Sequence, residues 1–394
     1  MNCGTEKYII ITGGDLFNKG AQAMTYITVG EMTRRFPECT CVLLSNKDVK
    51  RPVSEKENYK FLIRQRPGRK DAIYLNLPFL QSHADKQVKA LFQNAVCQID
   101  ISGYALGSNW GINKALSYIR SIRLAKSHNI PVFLMPQSFG PFDFNGVKGW
   151  ICDKLIEHYL KYPQVIMARE EEGFNLLKNR YHLDNIIKAS DIVLQNKKLD
   201  LSTVLYNYDY KTQNIMDNSV AIIPNSKNNK YGNETEILKV YIDIIDYMRN
   251  LGKNVYILYH SFEDRSMCAN IYNSCKGKTH FIDEELSCVQ FDKIVNGFDF
   301  VVASRFHSIV YAYKNCVPAI ILGWATKYNE LAEYFNQSAY QFDVRNHISS
   351  TDIIEMISKM NDNYKQESET IRKGLEVIQD INPYDYITLK ETGK

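Results

Sequence analysis

Short, continuously apolar runs recur along the chain, each closed by a polar or glycine-bearing corner and followed by a stretch of helical period. In the first half these runs are Tyr8 to Thr12, Thr40 to Leu44, Gln98 to Ser102, Ile130 to Met135 and Gln164 to Ala168. In the second they are Ser219 to Ile223, Asn254 to Tyr259, Asp299 to Ala303 and Pro318 to Leu322. They do not alternate apolar with polar, so they read as strands buried on both faces, as in parallel sheets. Between them the spacing predicts helices to about Arg35, over about Asn113 to His128, Gly146 to Leu160, Glu234 to Leu251 and Leu286 to Asn296. Strand–helix alternation throughout predicts α/β layers in both halves. From about Gln195 to Asn218 the periodicity fails and Asn, Asp, Lys and Tyr dominate, as in a linker.

The expected organisation is therefore a Rossmann-like domain over 1–195, a linker over 196–218 and a second Rossmann-like domain over 219–350. A helical tail over 351–394 packs across both, and the two domains face each other across a cleft. At 394 residues the chain suits two cores rather than one. Two local readings complete the pattern. Ala72 to Leu75 reads as a short strand. The charge-rich stretch from Asn46 to Lys70, with Arg64, Arg66 and Arg69, reads as a solvated face or mobile loop, with a lip for an anionic acceptor as the alternative.

A net charge of +4 is small for this length and argues against a general nucleic-acid surface, while leaving room for a local basic pocket. The nine cysteines are scattered, with no Cys-x-x-Cys pair and no zinc spacing, so no metal site is expected and reduced core thiols are the simplest account. No secretory leader pattern and no apolar stretch of spanning length is visible. The expectation is a cytoplasmic protein, with docking on a membrane face left open.

Candidate chemistry gathers at the corners, because ligands of open α/β sheets bind outside the carboxyl ends of the strands. Val301-Val302-Ala303 ends at Ser304, which reads as a helix cap, and Arg305 and His307 follow in the first turn. Pro318 to Leu322 ends in Gly323-Trp324-Ala325-Thr326-Lys327. If these two strands are neighbours, Arg305, His307 and Lys327 converge on one anionic group. Asn18 and Gly20 lie in a glycine-bearing corner that reads as a ligand loop or a tight turn. It is neither a Walker loop nor a GxGxxG fingerprint. Gly103 follows the third run, in a loop where Trp110 is a lid on the core or a stacking platform for a sugar. Gln137 and Ser138, ahead of Gly140-Pro141, suit a loop that hydrogen-bonds a ligand. Arg169, just before Glu170-Glu171-Glu172, binds an anion across the cleft or pairs with Glu172. His260, Ser261 and Asp264 share a strand end, but no Gly-x-Ser-x-Gly elbow supports a hydrolase. Lys227 and Lys230 read as a solvated loop.

Ser304-Arg305-Phe306-His307, then Val317-Pro318-Ala319-Ile320-Ile321-Leu322 and Lys327, resemble the C-terminal signature of the polysaccharide pyruvyl transferase family. Met135-Pro136-Gln137-Ser138-Phe139-Gly140-Pro141-Phe142 is similar to its pQSiGPf stretch. Ala168-Arg169-Glu170 and Ala189-Ser190-Asp191-Ile192-Val193 resemble two further steps, in the family's order. The chain departs at Ala21, where many members carry Asp, and at Tyr104 and Ala105, where they carry glycines. The resemblance implies a GT-B-like arrangement. It implies phosphoenolpyruvate as donor, a sugar acceptor of a cell-surface polysaccharide or exopolysaccharide (polymer- or lipid-linked, at the cytoplasmic membrane face), and a pyruvate ketal as product with phosphate released. No cofactor beyond the donor substrate is implied. Arg305 and His307 are then catalytic; Lys327, Arg169, Gln137, Ser138, Asn18, Gly20 and Gly103 bind substrate. On this reading Arg305→Ala weakens donor binding strongly. Two other classes share these features: a glycosyltransferase that uses a nucleotide sugar, and a sugar-binding member without turnover.

Overall fold

The computed structural model describes residues 6–76, 86–230, 233–275, 279–345 and 349–390. The first half contributes strands β1 (Lys7–Thr12), β2 (Cys39–Leu44), β3 (Leu62–Arg64), β4 (Ala95–Asp100), β5 (Tyr104–Leu106), β6 (Val132–Phe139), β7 (Val165–Ala168) and β8 (Ile186–Lys188). They form one sheet in the order β3-β2-β1-β4-β6-β7-β8, with β5 beside the end of β6 and every pairing parallel. The second half contributes β9 (Ser219–Ile223), β10 (Asn254–Leu258), β11 (His280–Ile282), β12 (Phe300–Ala303), β13 (Ala319–Gly323) and β14 (Gln341–Asp343). Their order is β11-β10-β9-β12-β13-β14, again all parallel. The unbroken apolar runs have this cause: β1, β4, β9, β12 and β13 are covered on both faces, and their central residues are fully buried.

Two apolar layers close the outer faces. Ile119, Ile122, Cys152 and Ile156 cover the first sheet, and Ile244, Met248, Ile271 and Ile353 the second. A third layer runs without a break from Ile9, Met24 and Val29 to Phe291, Tyr311 and Tyr313, so the two halves share an apolar boundary. Its centre is the helix Lys19–Arg35, buried on nearly every side against the helices Cys288–Val295 and Phe306–Lys314. The helix Ser350–Gln379 begins on the second half, through Ile353 and Ile357, and ends on the shared layer, through Leu375 and Ile378. Beyond it Tyr384 shares a 2.7 Å hydroxyl contact with Thr28, and the Lys390 amide donates to the Val96 carbonyl.

Three local readings are corrected. Residues 72–75 belong to the helix Arg69–Asn76; a four-residue apolar run has no period of its own to separate strand from helix. The stretch from Asn46 to Lys70 contains the edge strand β3, paired to β2 through Ile63 and Leu43. Ser304 does not cap the following helix. Arg305 occupies that position in extended geometry, and the Ser304 hydroxyl instead meets Tyr241 at 2.9 Å. Within 196–218, Val204 and Leu205 are buried, and Leu205 bridges to Tyr59.

Candidate active site

All the sequence candidates lie at or near the carboxyl ends of their strands. β12 and β13 are neighbours, paired through Ala303 and Ile321, so the corners that carry His307 and Lys327 adjoin. Opposite them stand the ends of β6, β7 and β8, with Ser138, Arg169 and Asp191.

The centre is a buried charge cluster that crosses the two halves. Arg169 donates through Nη1 to Asp191 Oδ2 at 2.5 Å and through Nη2 to Ser138 Oγ at 2.7 Å. Ser138 in turn donates to Glu170 Oε1 at 2.9 Å. Asp191 uses its other oxygen to accept from the Val193 amide, which caps the short helix Ile192–Gln195. His307, from the second half, brings Nε2 to 3.6 Å from Asp191 Oδ2, beyond hydrogen-bond reach. That nitrogen is buried without a partner. The Arg169 guanidinium lies over the Phe306 ring, its central carbon 4.7 Å from the ring centre, and Lys327 Nζ approaches the same ring at 5.0 Å.

The electrostatics follow. Burial pushes the His307 imidazole down to about 4, with Arg169 and Lys327 acting in the same direction and Asp191 against it. His307 is therefore neutral at pH 7. Burial also pushes the Lys327 ammonium down to about 8, helped by Arg169 and by the more distant Lys227 and Arg305. Lys327 makes no hydrogen bond or ion pair among the described residues. Burial works against the charge of Asp191, but His307, Arg169 and the Val193 amide together hold its carboxyl below the usual range. The arrangement sets together one unpaired ammonium, one shared guanidinium and one neutral imidazole, a set chemically suited to an anion.

Gly20 explains how the imidazole fits. A Cβ there would lie 2.3 Å from His307 Cγ and 2.5 Å from Nδ1, so the ring rests directly on the first turn of the helix Lys19–Arg35. Asn18 fixes that turn, its Oδ1 accepting from the amides of Gly20 at 3.0 Å and Ala21 at 3.2 Å. Lys19 is buried and donates to the His260 carbonyl at 3.0 Å, while its own carbonyl accepts from Tyr311. Asn18-Lys19-Gly20 thus seats the second half on the first. His260 lies parallel to His307, ring centres 6.2 Å apart.

Other candidates take different places. Arg305 is not a free fork. It is 9% exposed and donates through Nε and Nη2 to both oxygens of Asp264 at 2.7 Å, with Glu263 on the same Nη2. Asp264 also accepts from the Ser226 amide and hydroxyl, so Arg305 ties together the loops after β9, β10 and β12. Its Nη1 makes no hydrogen bond among the described residues. Gln137 does not reach the cleft: it is fully buried, bonded to Asp100 Oδ1 at 3.3 Å and accepting from the Tyr118 hydroxyl at 3.1 Å. Gly103 turns the backbone at φ +65°, and its carbonyl accepts from the Ser138 amide. Arg169 pairs with Asp191 rather than with Glu172.

Trp110 is no core lid. It is 41% exposed, 5.3 Å edge-on from Tyr104, and Lys114 Nζ lies 4.4 Å above its ring. Tyr104, one of the two departures in that loop, stands 5.6 Å from Lys327 Nζ and forms part of the cleft wall. Asp191 and Phe306 were not among the candidates. The signal for Asp191 was its place directly after a strand; Phe306 looked like an ordinary apolar helix residue.

An open pocket of about 650 Å³ adjoins the cluster, lined by Arg169, Asp191, Phe306, Lys327, Glu330 and Tyr334 among others. Among the described residues no group of three His, Cys, Asp or Glu is placed to hold a metal ion, and no helix is long and apolar enough to cross a membrane.

The model of the family described as polysaccharide pyruvyl transferase matches residues 18–326 of this sequence. No curated protein matches it. Among solved structures the fold is similar to Medicago truncatula UGT71G1 complexed with UDP-glucose, with a TM-score of 0.57 and 12% identity over 95% of this chain and 94% of that one. It is also similar to UDP-GlcNAc 2-epimerase from Methanocaldococcus jannaschii, with a TM-score of 0.54 and 14% identity over 98% and 94%. A glycosyltransferase from Rickettsia africae gives a TM-score of 0.54 and 10% identity over 97% and 98%. At these identities the likeness shows the fold: two parallel-sheet domains in the GT-B arrangement.

Proposed function

Because the chain belongs to the polysaccharide pyruvyl transferase family, we propose that it transfers the pyruvyl group of phosphoenolpyruvate to two hydroxyls of one sugar and releases phosphate. The observation that carries this reading is the buried Arg169–Asp191–His307 cluster with the unpaired Lys327 beside it. A ligand with both a carboxylate and a phosphate matches a site where two cations share one aromatic ring and only one has a carboxylate partner.

In the reaction, the enol methylene gains a proton and becomes a methyl group, leaving the central carbon electron-poor. One sugar hydroxyl adds there and loses its proton. The second hydroxyl then displaces phosphate and closes the ketal, its proton leaving on phosphate or solvent. Lys327 and Arg169 hold the anionic donor and stabilise charge as the phosphate departs. His307, neutral before binding, accepts a hydroxyl proton as general base. An anionic donor beside it raises its proton affinity, so the ring takes up a solvent proton as the site fills, gives it to the enol methylene and, neutral again, accepts the hydroxyl proton. Arg305 holds the loops that form the donor side and offers Nη1 to the ligand. Ser138 orients Arg169. The acceptor occupies the side of Tyr104 and Trp110, where exposed aromatic surface suits the C–H face of a sugar. The setting is the synthesis of a cell-surface polysaccharide, at the cytoplasmic face of the membrane.

The test is incubation of the protein with phosphoenolpyruvate, a set of nucleotide sugars and a panel of glycans in deuterated water. The reading predicts phosphate release together with a glycan-bound methyl group carrying one solvent deuteron. Consumption of a nucleotide sugar instead, with phosphoenolpyruvate untouched, assigns the site to glycosyl transfer. Glycan binding with no turnover of either donor assigns it to recognition alone.

A further inference from the structure

Glu330 lies one helical turn after Lys327, on the helix Thr326–Tyr334 of the second half. Its carboxylate reaches across the cleft to the helix Glu171–Tyr181. Oε2 accepts from the Glu171 amide at 2.6 Å and Oε1 from the Glu172 amide at 3.3 Å. These are two of the donors that every helix leaves unpaired at its start. The helix's own N-cap residue, Glu170, makes no capping bond, because its carboxylate is bonded to Ser138. The helix that follows Arg169 is thus capped by a side chain from the other half of the molecule.

The contact joins the two cations of the candidate site. Arg169 lies two residues before the capped amide, and Lys327 lies three residues before the capping carboxylate. Both line the same pocket as Glu330. We propose that Glu330 is a positioning residue that sets Lys327 against the Arg169 turn by capping the helix Glu171–Tyr181 from the opposite domain. The contact is not primarily a source of fold stability. Burial raises the Glu330 carboxyl above its usual range, and the two amide donors only partly oppose it. Holding the ionised form there costs the folded state free energy at neutral pH. What the cap supplies is geometry: it lets the two halves approach with their cations in register.

This inference rests on the donor site proposed above, and its test separates the two. Glu330→Ala, Glu330→Gln, Lys327→Ala and the double variant are compared in the full chain. The readouts are phosphoenolpyruvate affinity, thermal midpoint, ligand-free amide exchange at residues 171–175 and ligand-free titration of the Lys327 amine. Glu330→Ala is expected to speed that exchange and weaken donor binding about 10-fold, the scale of one or two charge-assisted hydrogen bonds, without lowering the midpoint. Glu330→Gln keeps an acceptor oxygen and recovers most of the affinity. In the Lys327→Ala background, Glu330→Ala has no further effect, because its action runs through Lys327.

Additive losses, or an affinity loss that tracks a falling midpoint, overturn the positioning role. If the wild-type protein binds no phosphoenolpyruvate, the donor reading fails and the ligand-free measurements decide. Faster exchange with a raised Lys327 titration then supports the positioning role, and no change in either overturns it.

Discussion

Gly20→Ala tests the contact between the halves at the smallest scale available, one methyl group. The new Cβ would lie 2.3 Å from His307 Cγ, 2.5 Å from Nδ1 and 2.7 Å from Cδ2. Carbon–carbon contacts settle near about 3.5–4.0 Å, so the imidazole must retreat by roughly 1 Å or more. It has little room: Asp191 stands on one side and the parallel His260 ring on another. The helix itself favours the change, since alanine is better than glycine inside a helix by about 1 kcal/mol. Overpacking costs about 1–3 kcal/mol, so the two effects largely offset and the fold survives. Function does not, because a displacement of that size in a reacting group costs on the order of 100-fold in turnover. The assay is phosphate release from phosphoenolpyruvate with the best glycan of the panel, beside NMR titration of the His307 ring. The variant is expected to fold, to turn over about 100-fold more slowly, and to titrate at a higher pH than the wild-type value of about 4, as the displaced ring gains solvent. Unchanged turnover and titration would refute the claim that Gly20 seats His307.

The other expected outcomes concern the charges. Arg305→Ala leaves Asp264, which is completely buried, without its guanidinium. The expected loss is about 3–5 kcal/mol in denaturant unfolding; a stable variant with only weakened donor binding would show that Arg305 acts mainly on the ligand. Donor affinity should fall as pH rises through about 8, the Lys327 value, because the neutral amine no longer attracts the anion. Lys327→Arg should remove that fall, and a fall that persists in the variant would assign it to another group. Asp191 has a folded value below its unfolded one, so it contributes stability above the usual carboxylate range that is lost as pH falls through the folded value. Asp191→Asn should flatten that acid-side loss and destabilise the fold at neutral pH by leaving buried Arg169 only its longer 3.5 Å contact with Glu170; an unchanged acid profile would place the titration elsewhere.

The sheets were legible because parallel strands leave an unbroken apolar run, and β1, β4, β9, β12 and β13 each show one. The edge strand β3 was not, because an edge needs few apolar residues and Arg64 and Arg66 hide it in a charged stretch. The corners were legible as places, since strand order alone sets them beside one another, and His307, Lys327 and Arg169 do gather. Partner choice was not. Sequence spacing cannot show that Arg305 is bound to Asp264, a residue 41 positions away, or that Gln137 turns inward to Asp100. The Asn18-Lys19-Gly20 corner reads from sequence as a ligand loop or a tight turn, because capping and ligand binding use the same residue types. Only the packing of His307 on Gly20 shows that its glycine makes room for a side chain from the other domain.

We propose the cluster of Arg169, His307 and Lys327 as a phosphoenolpyruvate site. Thermal unfolding with phosphoenolpyruvate, inorganic phosphate and a set of nucleotide sugars tests it most directly, because a ligand of the native state raises the midpoint by mass action. The expected result is a rise with phosphoenolpyruvate that exceeds the rise with phosphate and is lost in Lys327→Ala. A rise with a nucleotide sugar alone, or a phosphoenolpyruvate effect that Lys327→Ala leaves intact, would contradict it.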